Sequence, residues 1–147
     1  MPDAAQTLVD SVIAISAGLP ATDDASGYGA LTFTNLGQVT NWTPGGRLYA
    51  MTPSNPIAQR NTDFYKATYN NGVDNIVMNR DDDDAGQVIA LTAEGSDAQF
   101  SFSVTYQDGT IDYFQGKVPS YITGAGDANA IVSATLNVQR VTNTVVA

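Results

Sequence analysis

The plainest pattern in the chain is a strict alternation of apolar and polar positions in its second half. Phe100, Phe102, Val104 and Tyr106 alternate with Ser101, Ser103, Thr105 and Gln107, the two-residue period of a strand with one buried face. Val132, Ala134, Leu136 and Val138 alternate likewise with Ser133, Thr135, Asn137 and Gln139. This predicts a long strand near the C-terminus, bulging or ending where Gln139-Arg140 breaks the alternation. Shorter runs at 12–16, 31–39, 47–51, 64–69 and 73–78 add strand candidates, with Asn70-Asn71-Gly72 as the turn before the last. The sum is a single mainly β domain over 1–147, an antiparallel β-sandwich or partial barrel.

Asp108-Gly109 closes the clearest hairpin. A two-residue type I′ loop there would set Tyr106 opposite Ile111, Val104 opposite Tyr113 and Thr105 opposite Asp112, leaving one aromatic face and one hydrophilic face.

One segment breaks the two-residue period. In "RDDDDAGQVIALTAEG", Asp81, Asp82, Asp83 and Asp84 precede a short apolar run. A calcium-binding EF-hand loop starting at Asp81 would need oxygen ligands at positions occupied by Ala85 and Thr92, so two ligands are missing. A helix over 85–94 accounts for the same residues better. Asp84 serves as N-cap with Gln87 completing a capping box, the aspartates complement the positive helix end, and Gly95 supplies a left-handed stop. So short a helix must pack on the sheet, through Val88, Ile89 and Leu91.

Residues 43–64 carry Pro44, Pro53 and Pro56 and read as a long loop interrupting the strands. Leu48, Tyr49, Met51 and Ile57 are costly decorations for a solvated loop, which points to an arm, Arg47 included, buried against another subunit. Residues 16–30 read as a plainer polar loop.

Composition narrows the function. Charged residues are only 14% of the chain, against roughly 25% in ordinary soluble proteins. Fifteen acids against six scattered cations give a net charge of −9, the wrong sign for gripping phosphates. With no cysteine and no histidine, disulfides, thiol nucleophiles, histidine-based triads and histidine or cysteine zinc sites are impossible. Gly124-Ala125-Gly126 lacks the third glycine of a dinucleotide fingerprint, and Glu94 is the only glutamate. The expectation is a protein without catalytic activity, cofactor or metal. The N-terminal apolar run has no basic flank and is too short for a signal peptide or membrane span, so synthesis and use without export are expected, and Asn41-Trp42-Thr43 is a chance sequon.

The order of motifs is familiar. The stretch "YQDGTIDYFQGKV", preceded by the helix "AGQVIALTAEG" and the strand 100–106, resembles the C-terminal half of the tail tube (major tail) proteins of long non-contractile-tailed, lambda-like bacteriophages. The resemblance rests on Asp108-Gly109-Thr110, Asp112, Phe114, Gly116 and Val118, and on "VTNWTPGGRL", a strand running into a Thr-Pro-Gly turn. It covers roughly residues 35–50 and 80–143. It implies a β-sandwich with a flanking helix; with the sequence stopping near residue 147, the immunoglobulin-like C-terminal decoration that some relatives carry is expected to be absent. It also implies a virion protein made in the host cytoplasm, whose hexameric rings stack into the tube through which viral DNA leaves without specific binding. Partners would be other copies of the chain, tape measure, terminator and tail-tip proteins, with no membrane involved. Edge strands that pair between subunits and a cation-poor bore fit that role physically. Thr105 and Asp112 are lumen candidates, and residues 43–64 the inter-subunit arm. A type VI secretion-like ring protein and a monomeric carbohydrate- or calcium-binding β-sandwich are the alternatives.

Overall fold

The computed structural model describes residues 5–147; the part of the N-terminal reading that falls on residues 1–4 lies outside them. Alternation becomes strand wherever it was strict. Strand β1 (Val12–Ser16), helix α1 (Ala25–Gly29), β2 (Thr34–Asn35), β3 (Val39–Thr43), β4 (Leu48–Ser54), β5 (Asp63–Asn70), β6 (Val73–Asn79), α2 (Ala85–Glu94), β7 (Phe100–Thr105), β8 (Ile111–Gly124), β9 (Ser133–Arg140) and β10 (Val145–Val146) follow in order. All strand pairs are antiparallel. The main sheet runs β2-β1-β7-β8-β9-β6-β3, with β10 against β8, while β4 and β5 form a separate two-stranded sheet.

The main sheet curls into a partial barrel around one core. Ile13 and Ile15, Phe100, Phe102 and Val104, Phe114 and Val118, Leu136 and Val138, and Ile76 and Met78 bring the inward faces of β1, β7, β8, β9 and β6 together. Phe102 stacks on its cross-strand partner Phe114 with ring centroids 5.3 Å apart, an arrangement that adds about 0.5–1.5 kcal/mol to simple burial. Curling brings Trp42 of β3 within 6.2 Å of Tyr106, just past β7. A cleft of about 450 Å³ remains between the β3 margin and β1, lined by Leu36, Val39, Trp42, Val12 and Val104 among others.

Helix α2 occupies the predicted span, and Asp84 caps it by accepting from Gln87 N at 3.1 Å. The remaining details differ from the expectation. Gln87 does not reach back to the cap residue: it is buried, its Oε1 accepts from Asp81 N, and its Nε2 donates to the carbonyls of Gly37 and Asn79. The buried side is Gly86, Gln87, Ala90 and Ala93, with Ile89 beside it, whereas Val88 and Leu91 are about half exposed. Small residues win that face because the backbones approach closely; a Cβ on Gly86 would lie 2.2 Å from the Asn35 carbonyl oxygen. Gly95 ends the helix at φ −78°, right-handed rather than left-handed.

Other expectations also shift. Instead of one strand over 31–39, the chain makes β2, turns at Gln38 with φ +62°, and continues as β3. Asp84 holds that corner by accepting from Gly37 N at 3.1 Å. The polar loop over 16–30 contains α1, capped by Asp24, and Tyr28 is fully buried against Tyr113 with centroids 5.0 Å apart. A second helix and its tyrosine therefore cover the face of β7 that was expected to be hydrophilic, and Ser101 and Ser103 are buried there. Ser101 satisfies its hydroxyl by donating to Gly18 O at 2.7 Å. Finally, β9 ends at Arg140, where the alternation breaks, but without turning that residue outward. That side chain continues the inward row of Ala134, Leu136 and Val138 and is buried as one half of an ion pair.

Candidate functional site

The proposed arm, residues 43–64, belongs for the most part to a β-hairpin: the strand candidates 47–51 and 64–69 are realised as β4 and β5, and the loop is confined to 55–62. β4 and β5 pair from Leu48↔Asn70 to Ser54↔Asp63, with a bulge between Tyr49 and Met51, and among the described residues they form a ladder with no other strand. Seven of the eight residues of β5 are exposed, so both faces of the hairpin meet solvent. Leu48, Met51, Phe64, Tyr65 and Tyr69 are all exposed, and Ile57 at the tip is fully so. A two-stranded ribbon is marginal by itself, and this much exposed apolar surface on one projection marks an interaction surface. Local order comes from a stack of cations and rings. Tyr49 and Tyr69 lie 5.1 Å apart, Arg47 sits 4.5 Å from the Tyr69 ring centre, and Lys66 lies 4.7 Å from that of Tyr49. Tyr65, Phe64 and Tyr69 were missed as surface residues because β-propensity in 64–69 reads equally well as core.

A buried polar knot anchors the root of the hairpin. Asp74 Oδ1 accepts from Arg140 Nε at 2.6 Å and from Gly45 N at 2.7 Å. Its Oδ2 accepts from Arg140 at 2.9 Å and from the Trp42 indole N–H at 3.1 Å. Arg140 also lies 3.9 Å from the Phe114 ring centre. Gly72, at φ +96°, turns β5 into β6 so tightly that a Cβ would meet Gly46 N at 2.5 Å. The strands on either side of the hairpin are thereby locked to the core while the hairpin itself stands free.

Beside this root lies a bare sheet face. The outward residues of β9 (Ser133, Thr135, Asn137, Gln139) pair with those of β6 (Val73, Asn75, Val77, Asn79) and, on the other side, with Lys117, Ser120 and Ile122 of β8; Asn41 and Thr43 of β3 extend the row. Asn75 donates to Asn137 at 3.1 Å, and Asn137 donates to Ser120 at 2.8 Å, a hydrogen-bonded rung across three strands. Lys117 is the only charged residue among these positions, and it pairs with Asp97. The polar half of the β9 alternation announced this face; its partners on β6 were not legible because pairing between distant strands leaves no local signal.

The lumen candidates Thr105 and Asp112 do not share a face. The 106–110 loop has three residues between Tyr106 and Thr110, with Tyr106 N donating to Thr110 O and Gly109 at φ +92°. This is a turn with a glycine bulge rather than a two-residue type I′ turn. Register slips by one, pairing Thr105 with Ile111, Val104 with Asp112 and Ser103 with Tyr113, and a one-residue slip moves side chains to the opposite face. Asp112 ends up at the rim of the core, accepting from the Tyr106 hydroxyl at 2.7 Å. Burial, then this carboxylate, pushes the Tyr106 phenol well above its usual range.

The aspartate run is spent on structure. Asp84 caps α2 and holds Gly37, Asp81 accepts from Asp83 N, and Asp82 pairs with Arg80 at 2.9 Å. Among the described residues no three carboxylates converge as a metal site, and no helix is long and apolar enough to cross a membrane.

Comparison with known proteins places this geometry. No family model matches the sequence, and no curated protein does. Solved structures do match in fold. A chain of the anti-feeding prophage baseplate, determined by cryo-EM with six-fold symmetrisation, superposes with a TM-score of 0.67 at 8% identity, over 100% of this chain and 97% of that one. The SPP1 tail tube, a hybrid solid-state NMR and cryo-EM structure, superposes with a TM-score of 0.64 at 11% identity, over 93% of this chain and 76% of that one. The mainly β, antiparallel architecture is thus one that occurs in tail components.

Proposed function

We propose that this chain is a structural subunit of a phage tail tube, of the long non-contractile type, in which copies close into hexameric rings that stack around a bore. The reading rests above all on one observation: a bare, almost uncharged four-stranded face, β8-β9-β6-β3, stands next to a hairpin whose strands pair with no other strand among the described residues. Six such faces side by side make a closed wall that no longer has sheet edges, which removes the association hazard a lone sheet carries. A wall of serine, threonine and asparagine presents no cations for phosphates to exchange against their counterions, so viral DNA passes without being held. The rung Ser120, Asn137 and Asn75 then faces the bore, in place of the Thr105 and Asp112 pair. The hairpin is the arm that reaches a neighbouring subunit or the next ring. In this role the protein resides in the virion, and its other partners are tape measure, terminator and tip proteins.

The baseplate neighbour, matched over nearly its full length, favours one second reading, a ring at the end of a tube rather than its repeating unit. Shortening the hairpin by deleting residues 55–62 distinguishes assembly from folding. Circular dichroism and melting should stay near wild type while rings or tubes vanish from electron micrographs; unchanged assemblies would refute the arm.

A further inference from the structure

Charge is divided unevenly between the hairpin and the body. Residues 44–72 hold three cations, Arg47, Arg60 and Lys66, and a single acid, Asp63, a net charge of +2. The rest of the chain holds three cations and fourteen acids, a net charge of −11. The pairing is equally uneven. Each cation of the body is neutralised within the chain: Arg80 by Asp82, Lys117 by Asp97, Arg140 by Asp74. Among the described residues, Arg47, Arg60 and Lys66 make no ion pair. Arg47 and Lys66 are instead held over tyrosine rings, which orders their long stems without quenching their charge.

We infer that the hairpin is a cationic-aromatic dock whose occupant is the acidic body of a second copy of this chain, so that assembly is governed by ionic strength. This rests on the tail-tube reading and specifies how its arm attaches. Among the described residues the surface with excess opposite charge is the body itself, and the hairpin, anchored at its root by Gly45, Gly72 and Asp74, forms a sheet apart from its own body and makes no ion pair with it. Contact between copies is the arrangement that brings the two signs together. Opposite charges at such a contact fix register and speed encounter more than they add affinity, and they are screened over about 8 Å at physiological salt. The exposed Leu48, Met51 and Phe64 supply an apolar component that salt does not weaken.

The test is sedimentation velocity and negative-stain microscopy of the full chain at low and high sodium chloride, for wild type and for the double variant R47Q/K66Q. Wild type should need about tenfold more protein to assemble at high salt, and the double variant should need about tenfold more at low salt and show little further salt dependence. Its melting temperature should stay that of the wild type, and R47K/K66R should restore assembly. Tubes that form equally well in R47Q/K66Q overturn the dock while leaving the tube reading intact. Salt-sensitive oligomers that are lost in the variant but are not rings support the dock and refute the tube. A wild type that remains monomeric at every salt concentration overturns both. Salt-sensitive binding of duplex DNA, lost in R47Q/K66Q, would give the hairpin a different partner and overturn the inference.

Discussion

Asp74 and Arg140, 66 residues apart in sequence, form a doubly hydrogen-bonded ion pair inside the core, with side-chain exposures of 0% and 6%. Removing one member leaves the other charge buried and unpaired, which costs about 3–5 kcal/mol. Asp74→Ala should therefore lower unfolding free energy by that amount in urea titrations. It should also free the indole N–H of Trp42, the only tryptophan, so native-state emission should shift to the red before global unfolding.

Gly72 and Gly109 both have positive φ, but only Gly72 is also crowded. Gly109→Ala should cost about 1–2 kcal/mol, the strain of a left-handed alanine. Gly72→Ala should cost more, because its Cβ meets the backbone of Gly46. Equal melting temperatures for the two variants would show that the hairpin root is not tightly packed.

Asp84→Ala removes the helix cap, worth about 0.5–2 kcal/mol, together with the bond to Gly37. Asp83→Asn should change the melting temperature little, since Asp83 is solvated and caps nothing. Calcium should leave the wild-type melting temperature where it is; a strong upward shift, abolished by neutralising the aspartate run, would make the run a cation site.

Alkaline titration tests the Tyr106–Asp112 contact. Burial and Asp112 raise the folded-state pKa of Tyr106, so the proton is held more tightly in the folded chain. The contribution to stability is complete below the unfolded value of about 10 and is lost as pH rises towards the folded value. Tyr28 and Tyr121 are raised too, chiefly by burial, so the wild-type melting temperature should fall steeply above pH 10. In Tyr106→Phe the fall should be shallower.

What could be read in the sequence was what is local. Strict alternation located β7 and β9, shorter apolar runs with the Asn70-Asn71-Gly72 turn located β1 and β6, and the aspartate cap with its following apolar run located α2 to the residue. Three kinds of feature were hidden. The register of the β7–β8 hairpin depended on whether Asp108-Gly109 formed a two- or a three-residue loop, a choice made by backbone geometry at Gly109. Arg140 was legible as the end of β9 but not as a buried charge, because its partner Asp74 lies on another strand. The runs 47–51 and 64–69 were legible as strands, but their pairing into one hairpin was hidden by the loop-like prolines, of which Pro53 sits inside β4, tolerated in a two-stranded ribbon with free outer edges. The bare polar face followed the same rule: its β9 half was visible as alternation, its β6 half only after folding.

The claim that each chain is a wall segment completed by its copies is tested most directly by negative-stain electron microscopy of concentrated, purified protein. The account predicts tubes or stacked rings with a central hole and six-fold end views. Particles of single-chain size only, at every protein and salt concentration tried, would contradict it.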